Sequence, residues 1–435
     1  MNLYILLIGE IIILCFSYII FRDLLSPTFD ISFVFFVATL IIIPFQTRWN
    51  IKYNIKAVLL LLSGLGVFFF VESIVFLINQ KREKQRELSL EQAILIRVSP
   101  FYQVIFVLIL LVTILFLWKE VMRIGTAWSY YGMNSYIMKN YRNRVVYGYD
   151  SVNFVTSQLM KISTAIGYAS AFVLMNNFIV GGKEQLKKNY GLLISIILLF
   201  ILQLENSTRG SIINFAIYIV VIYYIKTRWL RGWDQKTNYK IIKVIVISLI
   251  SVIIVFFGSR SFIGRDTTEN FFDNAARYYG GSIQLFNLYV ENPTARSKYW
   301  GTETFTGIYQ SLYKIGLVEY RPIIALEVRN LGTYTGNVYT IFRRPLHDFG
   351  IFGMFIFIAI IASMFICAYY NIIRSPQKSN LKLIIYAYFY HWIMQAVIDC
   401  YSFNFALTSL VTLTMMIIIY YLFTKVKMVW GRYTI

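Results

Sequence analysis

The chain is a succession of apolar runs separated by short polar breaks, and the runs set its architecture. They fall at Leu3–Phe21, Ile31–Phe45, Ala57–Ile78, Phe101–Trp118, Phe154–Ile179 and Leu192–Leu204. They continue at Ile212–Ile225, Ile241–Phe257, Phe349–Ile373, Leu381–Ile398 and Phe405–Phe423. Several of them span about 18 to 22 residues, enough for a helix to cross a hydrocarbon core of about 30 Å. Ile31–Phe45 and Leu192–Leu204 are short for a crossing. In lipid a backbone must satisfy its own hydrogen bonds, and these runs are too long for barrel strands. The expected fold is an all-α polytopic membrane protein of about eleven transmembrane helices. No internal repeat and no linker rich in Pro, Gly or Ser divides the chain, so residues 1–435 are expected to form a single integral membrane domain. The first run lacks a basic segment before Leu3 and a small-residue cleavage site, and is expected to be a retained span rather than a signal peptide.

One stretch, residues 258–348, breaks the pattern. It carries Arg260, Arg265, Arg277, Arg343 and Arg344, the acids Asp266, Glu269, Asp273 and Asp348, and one of only two histidines, His347. Within it Asp266-Thr-Thr-Glu269 has capping-box spacing, and predicts a helix from Thr267 to about Val290. Phe272, Ala276, Tyr279, Ile283 and Phe286 give that helix one apolar face, to lie on the membrane surface or pack on the bundle.

Composition agrees with the runs. Hydrophobic residues make up 58% of the chain and charged residues 14%, against roughly 25% charged in an average soluble domain. The formal charge of +20 sits in short loops between runs, where excess Lys and Arg mark the cytoplasmic side. Nucleic-acid binding is therefore a poor explanation of it. The most basic short loop, with Lys226, Arg228, Arg231, Lys236, Lys240 and Lys243, is expected inside, which puts the 258–348 loop outside. Lys81–Arg97, Lys183–Lys188, Arg374–Lys382 and the tail with Lys425, Lys427 and Arg432 then fall inside as well. Lys119–Asp150 disobeys: the count puts it outside although it carries Lys119, Arg123, Lys139, Arg142 and Arg144. Either a span is miscounted or these cations meet an anion. Trp128, Tyr130, Tyr131 and Tyr136 would suit a helix at headgroup level there.

The candidate chemistry is mostly arginine. The sequence has no glycine loop for a nucleotide, no Asp-x-Asp pair for a metal-bound nucleotide sugar and no Gly-x-Ser-x-Gly elbow. Cys15, Cys367 and Cys400 show no paired spacing, and two histidines make a histidine-rich metal site unexpected. Neither metal nor cofactor is expected. An enzyme built this way would take an activated substrate delivered through the membrane. Arginine's planar fork matches phosphate oxygens and keeps its charge when partly desolvated. Arg209, in Asn206-Ser-Thr-Arg-Gly210, stands between two runs, and Arg260 and Arg265 follow the run ending at Phe257. Each could instead snorkel to the interface. Asp348 either caps the Phe349 run or serves chemistry, and His347 is the candidate to take a proton from an attacking hydroxyl. His391, with Gln395 and Asp399, is polar at membrane depth, where it would face the bundle or a cavity.

Several stretches in this order resemble the Wzy-type oligosaccharide repeat-unit polymerases that extend O antigens and capsules. They are Ser207-Thr-Arg-Gly210, Tyr278-Tyr-Gly-Gly-Ser-Ile283, Trp300-Gly-Thr-Glu-Thr-Phe305, and Gly336-Asn-Val-Tyr-Thr340 leading to His347-Asp-Phe-Gly-Ile-Phe-Gly353. The resemblance covers roughly the second half of the chain. It implies a metal-independent transferase of the C-type glycosyltransferase architecture in a bacterial cytoplasmic (inner) membrane, working on the extracytoplasmic side. It further implies a polyprenyl-diphosphate-linked oligosaccharide as substrate and a chain-length regulator protein as partner. On this resemblance Arg209, Arg260 and Arg265 hold the diphosphate, with Arg277, Arg343 and Arg344 as further candidates and Arg142 and Arg144 as additional anion contacts. His347 or Asp348 would orient or deprotonate the acceptor hydroxyl. Two rivals are an O-antigen ligase, which also needs a long outer loop with Arg and His, and a flippase or other transporter of lipid-linked oligosaccharide.

Overall fold

The computed structural model describes residues 2–80, 94–127, 137–146, 149–231, 270–296, 299–320, 325–332, 334–374, 379–402 and 407–425, with isolated residues between 239 and 258. The protein is a helical membrane protein. Seven helices among the described residues are long and apolar enough to cross a bilayer, and Tyr190–Glu205 and Ser409–Thr424 are shorter apolar helices. The run Ile241–Phe257 lies mostly outside the described residues.

The helices are α1 (Asn2–Phe21), α2 (Pro27–Ile42), α3 (Ile55–Gln80), α4 (Pro100–Thr126), α5 (Ile137–Val146), α6 (Phe154–Gly181), α7 (Glu184–Lys188), α8 (Tyr190–Glu205) and α9 (Arg209–Arg231). Then follow α10 (Phe271–Ala275), a π-helical turn (Ala276–Gly280), α11 (Gly281–Glu291), α12 (Thr306–Lys314), α13 (Arg343–Arg374), α14 (Asn380–Phe389), α15 (His391–Met394) and α16 (Leu407–Lys425). A small antiparallel hairpin, β1 (Arg329–Leu331) with β2 (Tyr334–Gly336), interrupts the helical pattern.

Local chemistry explains where these boundaries differ from the apolar runs. Helix α2 begins at Pro27, four residues before its run, because Ser26 accepts a hydrogen bond from the Phe29 N–H and Pro27 sits at the first helical position. Ser99 and Pro100 start α4 the same way. The Leu381–Ile398 run is not one helix. It stops at Phe389, resumes for one turn at His391–Met394 and passes through turns to Ile398. The ninth run is preceded by a short helical stretch from Arg343 that breaks at Gly350, which holds φ at +70°, and Asp348 on that stretch accepts the Thr304 N–H.

The chain folds as two compact units. One comprises Met1–Leu88, Glu269–Lys382 and Phe389–Leu407, the other Ser89–Thr268, Leu383–Tyr388 and Thr408–Ile435. In the first, α1, α2, α3 and α13 form a bundle whose core includes Ile31, Phe35, Leu61, Phe68, Ile358 and Phe365. Gly64 leaves room for the Phe342 ring, which also meets Phe35 at 5.4 Å. The amide of Asn2 donates to the Tyr53 carbonyl at 2.8 Å, and the Tyr53 hydroxyl donates to the Ile283 carbonyl at 3.1 Å. The start of α1, the α2–α3 turn and α11 thus share one end of this unit. The loop helix expected from Thr267 is found as α10, the π turn and α11; residues 267–269, with Arg260, Arg265 and Asp266, lie outside the described residues. It packs on the bundle, with Ile283, Leu285, Phe286 and Asn287 buried.

In the second unit α4, α6, α8 and α9 pack together, and α5 lies on α4. Gly167 lets α6 approach Leu199 of α8, and Thr113 and Ser163 hydroxyls meet at 2.8 Å between α4 and α6. Asn177 clamps the segment before α4, accepting from the Ile96 N–H at 2.8 Å and donating to its carbonyl at 2.7 Å.

Candidate functional site

The polar end of the first unit is assembled on the short helical stretch that opens α13. Four residues separate Arg343 from His347, so one helix face carries both, while Arg344 is turned to another side. Arg343 is fully buried and bridges two carboxylates, with Nη1 2.5 Å from Glu303 Oε2 and Nη2 2.7 Å from Glu327 Oε2. Its guanidinium also stacks on Tyr289, 3.8 Å from the ring centroid. Arg344 is equally enclosed and binds Asp399 through both ends of its fork, at 2.6 and 2.8 Å. It donates as well to the Glu303 carbonyl at 3.1 Å. Replacing one member of a buried, hydrogen-bonded pair of this kind costs about 3–5 kcal/mol, because the partner charge is left uncompensated.

Glu303 is therefore held through both its side chain and its backbone. Its turn closes with the Phe305 N–H on the Gly301 carbonyl at 2.9 Å, and the Thr304 N–H donates to Asp348 Oδ2 at 2.6 Å. The Glu303 side chain is 23% exposed although its partner Arg343 is buried. Its other oxygen lies 3.4 Å from His347 Nε2, and His347 Nδ1 stands 3.1 Å from the Tyr289 hydroxyl. With Nε2 protonated toward the carboxylate, Nδ1 accepts from Tyr289; the tautomer is assigned from these partners. Burial raises the Glu303 carboxyl above its ordinary range, and Asp348 adds to this, while the Arg343 charge pulls it back. The Tyr289 phenol is raised too, chiefly by burial.

Arg296 completes the arrangement. It is exposed and makes no ion pair among the described residues. Its Nη2 lies against the Gly350 backbone, 3.3 Å from where a Cβ would stand, and its charge reaches Tyr289. A cation without an ion-pair partner among the described residues thus acts on Tyr289 and on the buried His347, which in turn meets a partly exposed Glu303 with a raised pKa. Such a set can accept a proton at Glu303 and bind an anion at Arg296.

The residues expected from sequence are distributed unevenly. Arg343, Arg344, His347 and Asp348 come together here, but both arginines are already paired with the protein's own acids, Arg343 keeping only its buried Nε without a partner, and Asp348 anchors the Glu303 turn. Arg277, in the same unit, is half-buried against Tyr278 and Tyr334, 5.0 and 5.8 Å from their centroids. Asp273 pairs with Arg48 at 2.7 Å. In the second unit, Arg123 joins Glu120 at 2.7 Å and Arg144 reaches Asp150 at 3.4 Å. Arg142 makes no ion pair among the described residues. Arg209 opens α9, its side chain being outside the described residues, as are Arg260, Arg265, Trp128 and Tyr130. Glu303, Glu327, Asp399, Tyr289 and Arg296 were not singled out as site residues from sequence. Two carried a usable signal: Glu303, an acid inside the aromatic Trp300–Phe305 motif, and Asp399, a polar residue at the end of an apolar run.

Among the described residues no group of His, Cys, Asp and Glu could hold a metal ion. No family model, curated protein or solved structure matches the chain.

Proposed function

We propose that this protein is an oligosaccharide repeat-unit polymerase of a bacterial cytoplasmic membrane, with its site on the extracytoplasmic side. The substrate is a polyprenyl-diphosphate-linked glycan. An acceptor hydroxyl on a second lipid-linked unit attacks the anomeric carbon as the bond to the diphosphate oxygen breaks. The hydroxyl proton passes to Glu303, which His347 and Arg343 hold in place. The diphosphate leaves with the bonding electrons, and fixed cations stabilise its developing charge. Arg296 is the cation of this unit suited to that task. The wider architecture is that of about eleven spans with a long outer loop, similar to C-type glycosyltransferases.

The observation that carries this proposal is the partly exposed Glu303 side chain, fixed between Arg343 and His347, with the charge of the exposed Arg296 acting on that same histidine. The direct test is chain extension by the purified protein on its lipid-linked repeat unit. Arg296→Gln is expected to cut the rate by roughly 10–100-fold, the worth of a charge-assisted hydrogen bond. In cells, deletion of the gene should leave single repeat units in place of long chains. One observation favours a second reading, transport of the lipid-linked unit. The segment after α14 is a broken helix at Phe389–Ile398, and transporters build substrate sites from interrupted helices. Accumulation of repeat units on the cytoplasmic face after deletion would favour transport and reject polymerisation.

A further inference from the structure

Beside Glu303, one large aromatic side chain is turned outward while its own turn is buried. Trp300 is 69% exposed, whereas Thr302 and Thr304 on the same turn are enclosed. The indole is nonetheless fixed. It stacks on Phe305 at 5.6 Å with planes 27° apart and meets Phe349 at 4.9 Å, and Phe349 stacks on Phe357 at 4.5 Å. The Trp300 carbonyl accepts the Tyr309 hydroxyl at 2.7 Å. Gly301, at φ +67°, is required for this closure: a Cβ there would stand 2.7 Å from Phe305 and 3.0 Å from Phe349.

Polar groups flank this fixed face. Glu303 lies three residues on, and Gly350, next to Phe349, supports the Arg296 guanidinium. An aromatic face offers apolar contact to the C–H side of a sugar ring, while a carboxylate and a guanidinium take its hydroxyls and a phosphate. We infer that Trp300, backed by Phe305 and Phe349, is a stacking platform for a pyranose ring, presenting that sugar's hydroxyls to Glu303 and its phosphate side to Arg296. The identity of the occupant as a glycan rests on the polymerase proposal. The competing occupant is lipid, since aromatic residues also collect at membrane interfaces and Phe352 nearby is exposed.

The test uses the full-length protein in lipid nanodiscs, with methyl glycosides of glucose, galactose, N-acetylglucosamine and rhamnose as probes in saturation-transfer-difference NMR. Transfer is expected on the C–H protons of one ring face of at least one probe. Affinity should fall roughly fivefold in Trp300→Leu and stay within about twofold of wild type in Trp300→Phe. Both variants should remain monodisperse, because the replaced ring is largely exposed. A second measurement compares quenching of tryptophan fluorescence by acyl-brominated lipid in wild type and Trp300→Phe; no quenchable contribution from Trp300 is expected. Absence of transfer in the wild type, equal transfer in wild type and Trp300→Leu, or quenching of Trp300 by the brominated lipid would each overturn the platform. Transfer that depends on Trp300, in a protein whose gene deletion leaves long chains intact, would instead reject the polymerase proposal and keep the platform.

Discussion

Carboxylates are buried toward both ends of the first unit, and two kinds of donor hold them. At one end Glu72 accepts from the Ser26 hydroxyl at 2.8 Å, the Thr28 N–H at 2.9 Å and the Tyr370 hydroxyl at 3.2 Å. Asp30 is met by Tyr390 and Asp23 by Tyr369 in the same way. At the other end Glu303, Glu327 and Asp399 are met by guanidinium groups. Hydroxyl donors fill lone pairs without bringing charge, so the first cluster ties α1, α2, α3 and α13 together and Glu72 is fully enclosed. The second brings opposite charges together nearer the surface, where the Glu303 and Glu327 side chains are partly exposed. Burial of a polar group therefore does not mark a functional site by itself. The proposed mechanism needs more, a charge held in place yet reachable from solvent.

The contrast can be broken by exchanging what each cluster depends on. The largest effect is expected from Glu303→Gln, which keeps the shape and removes the proton acceptor. Chain extension should fall by about 10²–10⁴-fold, a larger loss than the accompanying drop in stability explains, since Arg343 still keeps Glu327 as a partner. The wild-type rate should also drop on acidification. Glu303 accepts a proton only when ionised, and its pKa lies above the ordinary glutamate value of 4.5. Activity is thus complete well above that raised pKa and lost as pH falls through it. A rate–pH profile whose acidic limb is unchanged in residual Glu303→Gln activity would assign the base elsewhere.

Arg343→Ala should act on folding instead. It strands Glu303 and Glu327 together, and a loss of about 3–5 kcal/mol is expected in unfolding experiments in detergent. Arg343→Lys should recover only part of it, since a single ammonium cannot reproduce the two-armed fork. The smallest effect belongs to the hydroxyl-held end. Tyr370→Phe removes one of several donors to Glu72, and should cost about 1 kcal/mol with chain length unaltered. A larger loss of activity than of stability there would erase the difference between the two ends.

Much of the helical framework was legible in the sequence because lipid imposes a local rule. Each crossing helix must be apolar along its own length, so Leu3–Phe21 and Ala57–Ile78 stand out without knowledge of their neighbours, and α1 and α3 fall on them. The starts at Pro27 and Pro100 were also written locally, in Ser-Pro pairs that a search for apolar residues passes over. The break after Phe389 was hidden for the opposite reason: the run stays apolar through the turns, and what fixes them is the Ala396 carbonyl accepting the Ile341 N–H at 2.6 Å and the Asp399–Arg344 pair.

By itself the sequence determined that the chain lives in a membrane as helices, and that one polar stretch rich in arginine and carrying His347 stands apart from them. Only the tertiary structure decided which of those charges remain available. Arg343 and Arg344 looked like anion ligands until Glu303, Glu327 and Asp399, at separations of 40, 16 and 55 residues, closed on them. Arg296, which carried no motif, emerged as the exposed cation of the site. The physical reason is that hydrophobic burial in lipid is a property of each segment, whereas an ion pair exists only through the distance between two side chains. That distance is set by how the bundle packs.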